Sequence, residues 1–413
     1  MVFYFLIIIF SVFINLQEFL IGKLEFQYVS YVDELFLIFP YLLAPFVVRK
    51  RSDAWVFLIL LLPFLSIAHA WGVGVFVFYD VRFYEIVVQS FINFKFFLYF
   101  VFFYCLWLMA EKNSRVFVVA FLSCAAFSIL GYVLNIIFPE YFVFSEASWH
   151  LERGRIGGFQ FKPNDLAISL CFLMVFVLFS FSRGLGRHVL VFLLIGLIYL
   201  ASSRTALLVA LIIFLLSMLY ERRYVSLFFL GGGGVCVLLA FHDAVFNSFL
   251  FSETVSNFSQ LAVVGDTQYI RAIMVYYGVL LGVMFFPLGS GAASYGGVMS
   301  EGSLIYQMLG LSEIEFFQRM EGIYDSNAAS IVGEYGFLGF LVFFGFAYKI
   351  VSQLLGGRRS LVFSLVFLLF AISLTQPLFS YQVNSINFLL LLFSLPYFLK
   401  GASSSFDARV GGR

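Results

Sequence analysis

Charge is what this chain has least of. Asp, Glu, Lys and Arg make up 11% of its 413 residues and hydrophobic residues 62%, whereas soluble domains carry about 25% charged residues. That deficit excludes a water-soluble fold, which could not hide so much apolar surface. The fold class implied is all-α, a polytopic integral membrane helix bundle, because backbone polar groups inside a bilayer must be satisfied within the segment. A net charge of +1 argues against nucleic acid as a partner. Cysteine is scarce too. Cys105, Cys124, Cys171 and Cys236 fall in apolar runs without CxxC spacing and read as packing residues rather than disulfides or metal ligands. No HExxH, DxD or His/Cys cluster occurs, so no metal is expected. No GxxxxGK[ST] sequence occurs, so no glycine-rich stretch is a P-loop. The opening residues, MVFYFLIIIFSVFINLQEFL, lack a basic leader and a cleavage site and read as a retained span.

What is present is a series of apolar runs, each near the roughly 20 residues that a span requires. They lie at 2–20, 32–48, 54–70, 91–110, 116–138, 165–182, 189–202, 205–220, 225–241, 331–351, 361–379 and 385–399. About twelve transmembrane helices are therefore expected, in one bundle over 1–400. A thirteenth apolar stretch, 271–288, reads as a helix lying in or dipping into one face. Counting it as a span would invert every later loop. Residues 401–413 read as a short, unstructured cytoplasmic tail.

Of the 24 basic residues, 15 fall in alternate loops and the tail: Arg49, Lys50, Arg51, Lys112, Arg115, Arg183, Arg187, Arg222, Arg223, Lys349, Arg358, Arg359, Lys400, Arg409 and Arg413. Short basic loops face the cytoplasm, so both termini are expected inside. The loops at 139–164 and 242–330 then face outward. Orientation accounts for the inner basic residues but not for the outer ones.

Those outer cations are the first candidate site residues. Arg153, Arg155, Arg204, Arg271 and Arg319 lie against the positive-inside bias, and each alone could be an arginine reaching for headgroup phosphates. Five on one face point instead to a shared anionic ligand. A guanidinium binds a phosphate through two parallel charge-assisted hydrogen bonds and stays charged at any physiological pH. Arg204 sits in the tight turn of LASSRTALL. Lys162, Asn164 and Asn327 are candidate substrate contacts, with His150 beside them; Asn164 and His150 are each a weak signal alone. Asp325 precedes the tenth span, where it could cap the helix, with Ser326 as the alternative, or serve as a general base. Glu334 lies within that span, where a lone carboxylate is expensive. It is expected to pair with an arginine, Arg204 or Arg271. The glycines of RGRIGGF and PLGSGAASYGG permit close backbone approach, either as plain loops or as an anion nest.

Four stretches together resemble a known group: RIGGFQFKPNDLAISL, LASSRTALLVAL, the run from Tyr269 to Gly291, and YDSNAASIVGEYGFLG. YVDELFLI, at 31–38, adds a Asp-Glu pair at the start of a span. The chain is similar in these to the polymerase–ligase group of bacterial surface polysaccharide assembly, and above all to the O-antigen polymerases (Wzy). The resemblance implies a GT-C-related bundle in the bacterial inner membrane. Its active site would face the periplasm and act on undecaprenyl-diphosphate-linked oligosaccharides, both donor and acceptor, within membrane lipid. It implies a glycosyltransferase working without metal, and a Wzz-like polysaccharide chain-length regulator as a partner. In ligases of the group, two outer arginines and a large-loop histidine are implied to be essential. Arg204 and Arg271 match the arginines, but Asp325 stands at the histidine's position, which favours polymerase over ligase.

The expected site is therefore Arg204, Arg271 and Asp325 as catalytic residues. Arg153, Arg155, Lys162, Asn164, Arg319, Asn327 and Glu334 are expected to bind substrate. The alternatives are an O-antigen ligase or an O-oligosaccharyltransferase, and, from another class, a flippase or transporter for the same lipid-linked sugar. Transporters tend to show internal repeats and charges near the bilayer midplane. No such repeat stands out in the sequence, and the Gly231–Gly234 run reads as close helix packing rather than a hinge.

Overall fold

A computed structural model describes residues 2–24, 32–74, 80–142, 156–160, 162–181, 184–201, 203–220, 270–319, 322–356 and 358–410. Within them the chain is helical and contains no strand. The helices in chain order are α1 (Val2–Leu24), α2 (Val32–Leu35), α3 (Phe39–Val47), α4 (Trp55–Gly72), α5 (Phe83–Asn93), α6 (Lys95–Met109) and α7 (Arg115–Ile137). They continue as α8 (Pro163–Ser180), α9 (Leu185–Leu200), α10 (Arg204–Tyr220), α11 (Ile270–Met284), α12 (Asn327–Leu355), α13 (Arg359–Ser373) and α14 (Gln382–Val410).

Six of these, α1, α4, α7, α8, α12 and α14, are long and apolar enough to cross a membrane, and the pair α5–α6, bent by 53°, is so when its two halves are taken together, as a broken span or a re-entrant loop. The helices α9, α10, α11 and α13 are equally apolar but shorter. The expected span at 225–241 and the loop to residue 269 lie outside the described residues. Helix α11, the stretch expected to lie in one face, has 15 residues. That is about 22 Å at 1.5 Å per residue, short of a hydrocarbon core of about 30 Å.

The core is aromatic. Helix α6 (KFFLYFVFFYCLWLM) is buried from Lys95 through Trp107, and α14 packs against α6, α7 and α8. Phe393 of α14 stacks on Phe117 at 4.9 Å and on Phe100 at 5.7 Å between ring centroids. Such offset contacts add ~0.5–1.5 kcal/mol beyond area burial. The thiol of Cys171 donates to the Ala206 carbonyl at 3.3 Å, which seats α8 on α10. Cys105, Cys124 and Cys171 are all buried, as expected of packing residues; Cys236 lies outside the described residues.

Several breaks depart from the runs read in the sequence. The expected span at 32–48 is two short helices joined by a turn. Pro40, in the first turn of α3, has no N–H with which to carry the helical ladder on from α2. The chain closes i→i−3 bonds there, from Leu37 to Glu34 and from Ile38 to Leu35. Helix α14 continues to Val410 where an unstructured tail was expected; no proline follows Pro396 to stop it.

The largest break is in α12. Gly336 has φ 65° and ψ −168°, a conformation open essentially to glycine alone. The loop PLGSG docks into the gap. The amides of Ser290 and Gly291 donate to the carbonyls of Gly333 and Glu334, and the amide of Leu338 donates to that of Pro287. Gly289 itself has φ 76°, with no room for a side chain against the backbone of residues 333–336. Gly336→Ala is expected to destabilise the protein by ~1–3 kcal/mol from backbone strain. Collision of the new Cβ with the Pro287 carbonyl adds to that cost, and thermal unfolding of the purified protein measures it.

The two ends of the bundle differ. At the Met109 end of α6, Arg49, Lys50 and Lys112 share a cavity of about 520 Å³ with Asp53 and Glu111. Lys349 approaches Trp55 there, with its Nζ 6.0 Å from the ring centroid. The Lys95 end holds the candidate site.

Candidate active site

At the Lys95 end, the first turns of α6, α8 and α14 meet α2 and the last turns of α1. Lys95 opens α6, and its Nζ donates to Asp33 Oδ2 at 2.6 Å, with the two side chains 6% and 3% exposed. Gln17 Nε2 donates to Asp33 Oδ1 at 3.1 Å. The pair forms one wall of an open cavity of about 350 Å³, lined also by Glu18, Glu34, Lys162, Tyr324, Ser380, Tyr381 and Gln382. Tyr381 donates to Glu18 Oε1 at 3.3 Å. Burial, then the negative charge of Glu18, pushes the Tyr381 phenol well above its ordinary value, so this hydroxyl stays a donor. Lys162 Nζ sits 5.0 Å from the Tyr381 ring centroid, a cation–π contact.

Two of the three expected catalytic residues pair with each other. Arg271, in the first turn of α11, donates from Nη2 and Nε to Asp325 Oδ2 at 2.9 and 3.2 Å. Both bonds fall on one oxygen, so Oδ1 is not part of this contact. The side chains are 18% and 37% exposed, so the pair is reachable from water. Ser326, not Asp325, caps α12, since its Oγ accepts from the Ala329 amide at 3.3 Å. Asp325 is thereby spared for the arginine. Asn327, one residue on, accepts from the Phe379 amide at 2.6 Å and donates to Ser380 Oγ at 3.0 Å. It braces the cavity wall.

The other expected residues spread more widely. Asn164, in the first turn of α8, accepts from Ser203 Oγ at 2.8 Å. Arg204 follows Ser203 and is half-buried at the start of α10. Arg319 is exposed, beyond the single turn Glu315–Gln318. Arg153 and Arg155 lie outside the described residues. The glycines after them are structural: the amides of Gly157 and Gly158 donate to Asn135 Oδ1 at 3.2 and 3.1 Å, and Gly158 has φ 57° against the Gly131 backbone. Gln160, also in this stretch, is buried in a polar ladder with Asn15, Ser128 and Ser169. Asn135→Leu leaves two amides without their acceptor and is expected to cost ~1–3 kcal/mol for each one orphaned, read as a lowered unfolding midpoint.

Glu334 does not pair with an arginine. It is fully buried in α12, and its Oε2 accepts from Asn93 Nδ2 at 2.5 Å. The backbone amides of Ala293, Ser294 and Tyr295 line the carboxylate, although Oε1 has no partner at full hydrogen-bond geometry. The glycine-rich loop thus wraps a buried carboxyl group that belongs to the protein. The arginine pairing expected from the sequence fails because Arg271 is engaged by Asp325 and the loop brings its own donors. Asn93 in turn donates to Tyr335, whose hydroxyl meets that of Ser66 at 2.9 Å.

Sequence reasoning missed Glu18, Asp33 and Lys95 as cavity residues. A signal existed, since opposite charges stand inside apolar runs at 18, 33 and 95, and such charges face a partner or a polar cavity. Among the described residues, no three His, Cys, Asp or Glu side chains converge as metal ligands do. Comparison with family models and with curated proteins found no match.

Proposed function

We propose that the chain is a polysaccharide polymerase of the O-antigen type. It joins undecaprenyl-diphosphate-linked repeat units at the periplasmic face of a bacterial inner membrane. The observation that carries this reading is the Arg271–Asp325 pair, half-open to water and two residues along the chain from Asn327, whose partner Ser380 lines the polar cavity. An acceptor hydroxyl attacks the anomeric carbon of the donor's reducing-end sugar. The new glycosidic C–O bond forms as the bond to the diphosphate breaks, and undecaprenyl diphosphate leaves with the electron pair. Asp325 takes the hydroxyl proton. Arg271 orients Asp325 and, with Arg204, offsets the charge growing on the leaving diphosphate. Fixed cationic donors aimed at developing charge act most strongly where water is scarce. The energy comes from the activated diphosphate link, so the reaction calls for no nucleotide.

The test is deletion of the gene in its host, with the surface polysaccharide resolved on a gel. Loss of a polymerase leaves lipid A-core bearing one repeat. Bare core with polymer left on the carrier would make the chain a ligase, and a block in export of repeats would make it a flippase. In the same assay, Arg204→Ala is expected to abolish long chains while the protein still inserts. Chains of ordinary length from this variant would remove Arg204 from the site.

A further inference from the structure

Beside the polar cavity lies a second compartment of opposite character. An apolar groove of about 470 Å³ opens between α1, the α2–α3 turn and α6, walled by Leu6, Ile9 and Phe13 on one side and Phe36 and Leu43 on the other, with Phe102 between. Leu6 and Ile9 are about half exposed, at 51% and 47%, so the groove opens to the surface of the bundle. The same two elements build both compartments. Helix α1 gives Phe13 to the groove and, one turn on, Gln17 and Glu18 to the cavity. Helix α2 gives Val32 to the groove and Asp33 and Glu34 to the cavity. Four residues of helix are about 6 Å, so the compartments abut.

A ligand that fills both must be amphipathic, with a hydrocarbon chain joined to a polar head. The charges of the cavity say which head. Glu18, Asp33 and Glu34 face Lys95 and Lys162, three carboxylates against two amines, a balance that disfavours a buried phosphate. Carboxylates, the amides of Gln17 and Gln382, and the rings of Tyr324 and Tyr381 suit sugar hydroxyls and sugar faces. We propose that groove and cavity together hold one lipid-linked oligosaccharide, its isoprenoid chain in the groove and its first sugars in the cavity. The linking diphosphate joins the two parts and so lies where groove and cavity meet, at the edge open to water. This assignment rests on the polymerase reading for the identity of the lipid.

The experiment uses the full chain in phosphatidylglycerol-containing nanodiscs and an undecaprenyl-diphosphate-linked repeat carrying a diazirine in its isoprenoid chain. Photolabelled peptides are mapped by mass spectrometry. Labels are expected within 6–13 and 36–43, suppressed by excess unlabelled lipid-linked repeat and not by excess phosphatidylglycerol. Equal suppression by both would make the groove a seat for bilayer lipid, and labels confined elsewhere would remove it from the site; either overturns the proposal. Ile9→Trp and Leu43→Trp fill the groove from facing walls at exposed or half-exposed positions, and each is expected to cut labelling about tenfold (~1.4 kcal/mol). Undiminished labelling in both would also overturn it. Chain extension is assayed on the same preparation. Groove labelling without extension would sink the polymerase reading and leave the groove standing; extension without groove labelling would do the reverse.

Discussion

On the proposed polymerase function, Arg271→Ala will reduce chain extension by about 10²–10³-fold, the loss typical of removing one fixed donor to developing charge, while membrane insertion persists. Asp325→Ala will fall in the same range. The double variant will be little worse than either single one, because groups that act as a unit are strongly non-additive. This follows from the geometry: two guanidinium nitrogens hold one carboxylate oxygen at 2.9 and 3.2 Å, so removing either partner frees the other to wander. Arg271→Lys tests the geometry separately from the charge. An ammonium keeps the positive charge but cannot reproduce two N–H bonds in a fixed plane, so partial activity is expected. The measurement is extension of lipid-linked repeats by the purified protein, read as chain length against time. Wild-type rates from Arg271→Ala would remove this pair from the chemistry.

The second large effect concerns stability. Asp33→Ala or Lys95→Ala leaves one charge buried without its partner and is expected to cost ~3–5 kcal/mol. The pair is 2.6 Å long and almost fully enclosed, and Tyr99 and Gln17 also address the carboxylate. Replacing both residues at once, as Asp33→Leu with Lys95→Met, removes both charges and is expected to recover most of that loss, since well-packed apolar substitutes for a buried pair are often neutral or better. Unfolding midpoints of the three variants in one detergent decide it. A double variant as unstable as the singles would mean that the surrounding Gln17 and Tyr99, not the pair, set the cost.

Much of the architecture was legible because apolar runs and turn chemistry are local. α1, α4, α7 and α8 lie where those runs predicted them, and Asp325 and Arg271 were both singled out from their own surroundings. Pairing was not legible, because it joins segments far apart in the chain. Asp33 and Lys95 are separated by 62 positions, and Asn93 and Glu334 by 241. Nothing in either local stretch names the other. The glycines of PLGSG were read as open loop or phosphate nest because sequence shows a capacity for close approach and not the object approached. That object is the protein's own helix. Glu334 was assigned an arginine on the sound ground that a carboxylate there needs compensation; an asparagine and a row of backbone amides stand in its place.

The seating of PLGSG in the break of α12 also has a bearing on the order in which the chain is made. Ser290 bonds to the Gly333 carbonyl, 43 residues further along, so during synthesis the loop emerges before its partner exists. Its amides cannot stay unpaired in hydrocarbon, where each would cost several kcal/mol. The loop must therefore wait in water or among headgroups until the N-terminal half of α12 arrives. Until those residues are added, the amides of Ser290 and Gly291 lack the carbonyl partners they have in the finished protein. Substitutions that slow the arrival of α12 lengthen that wait, and their damage would show as lost yield rather than as a lower melting point in the molecules that finish.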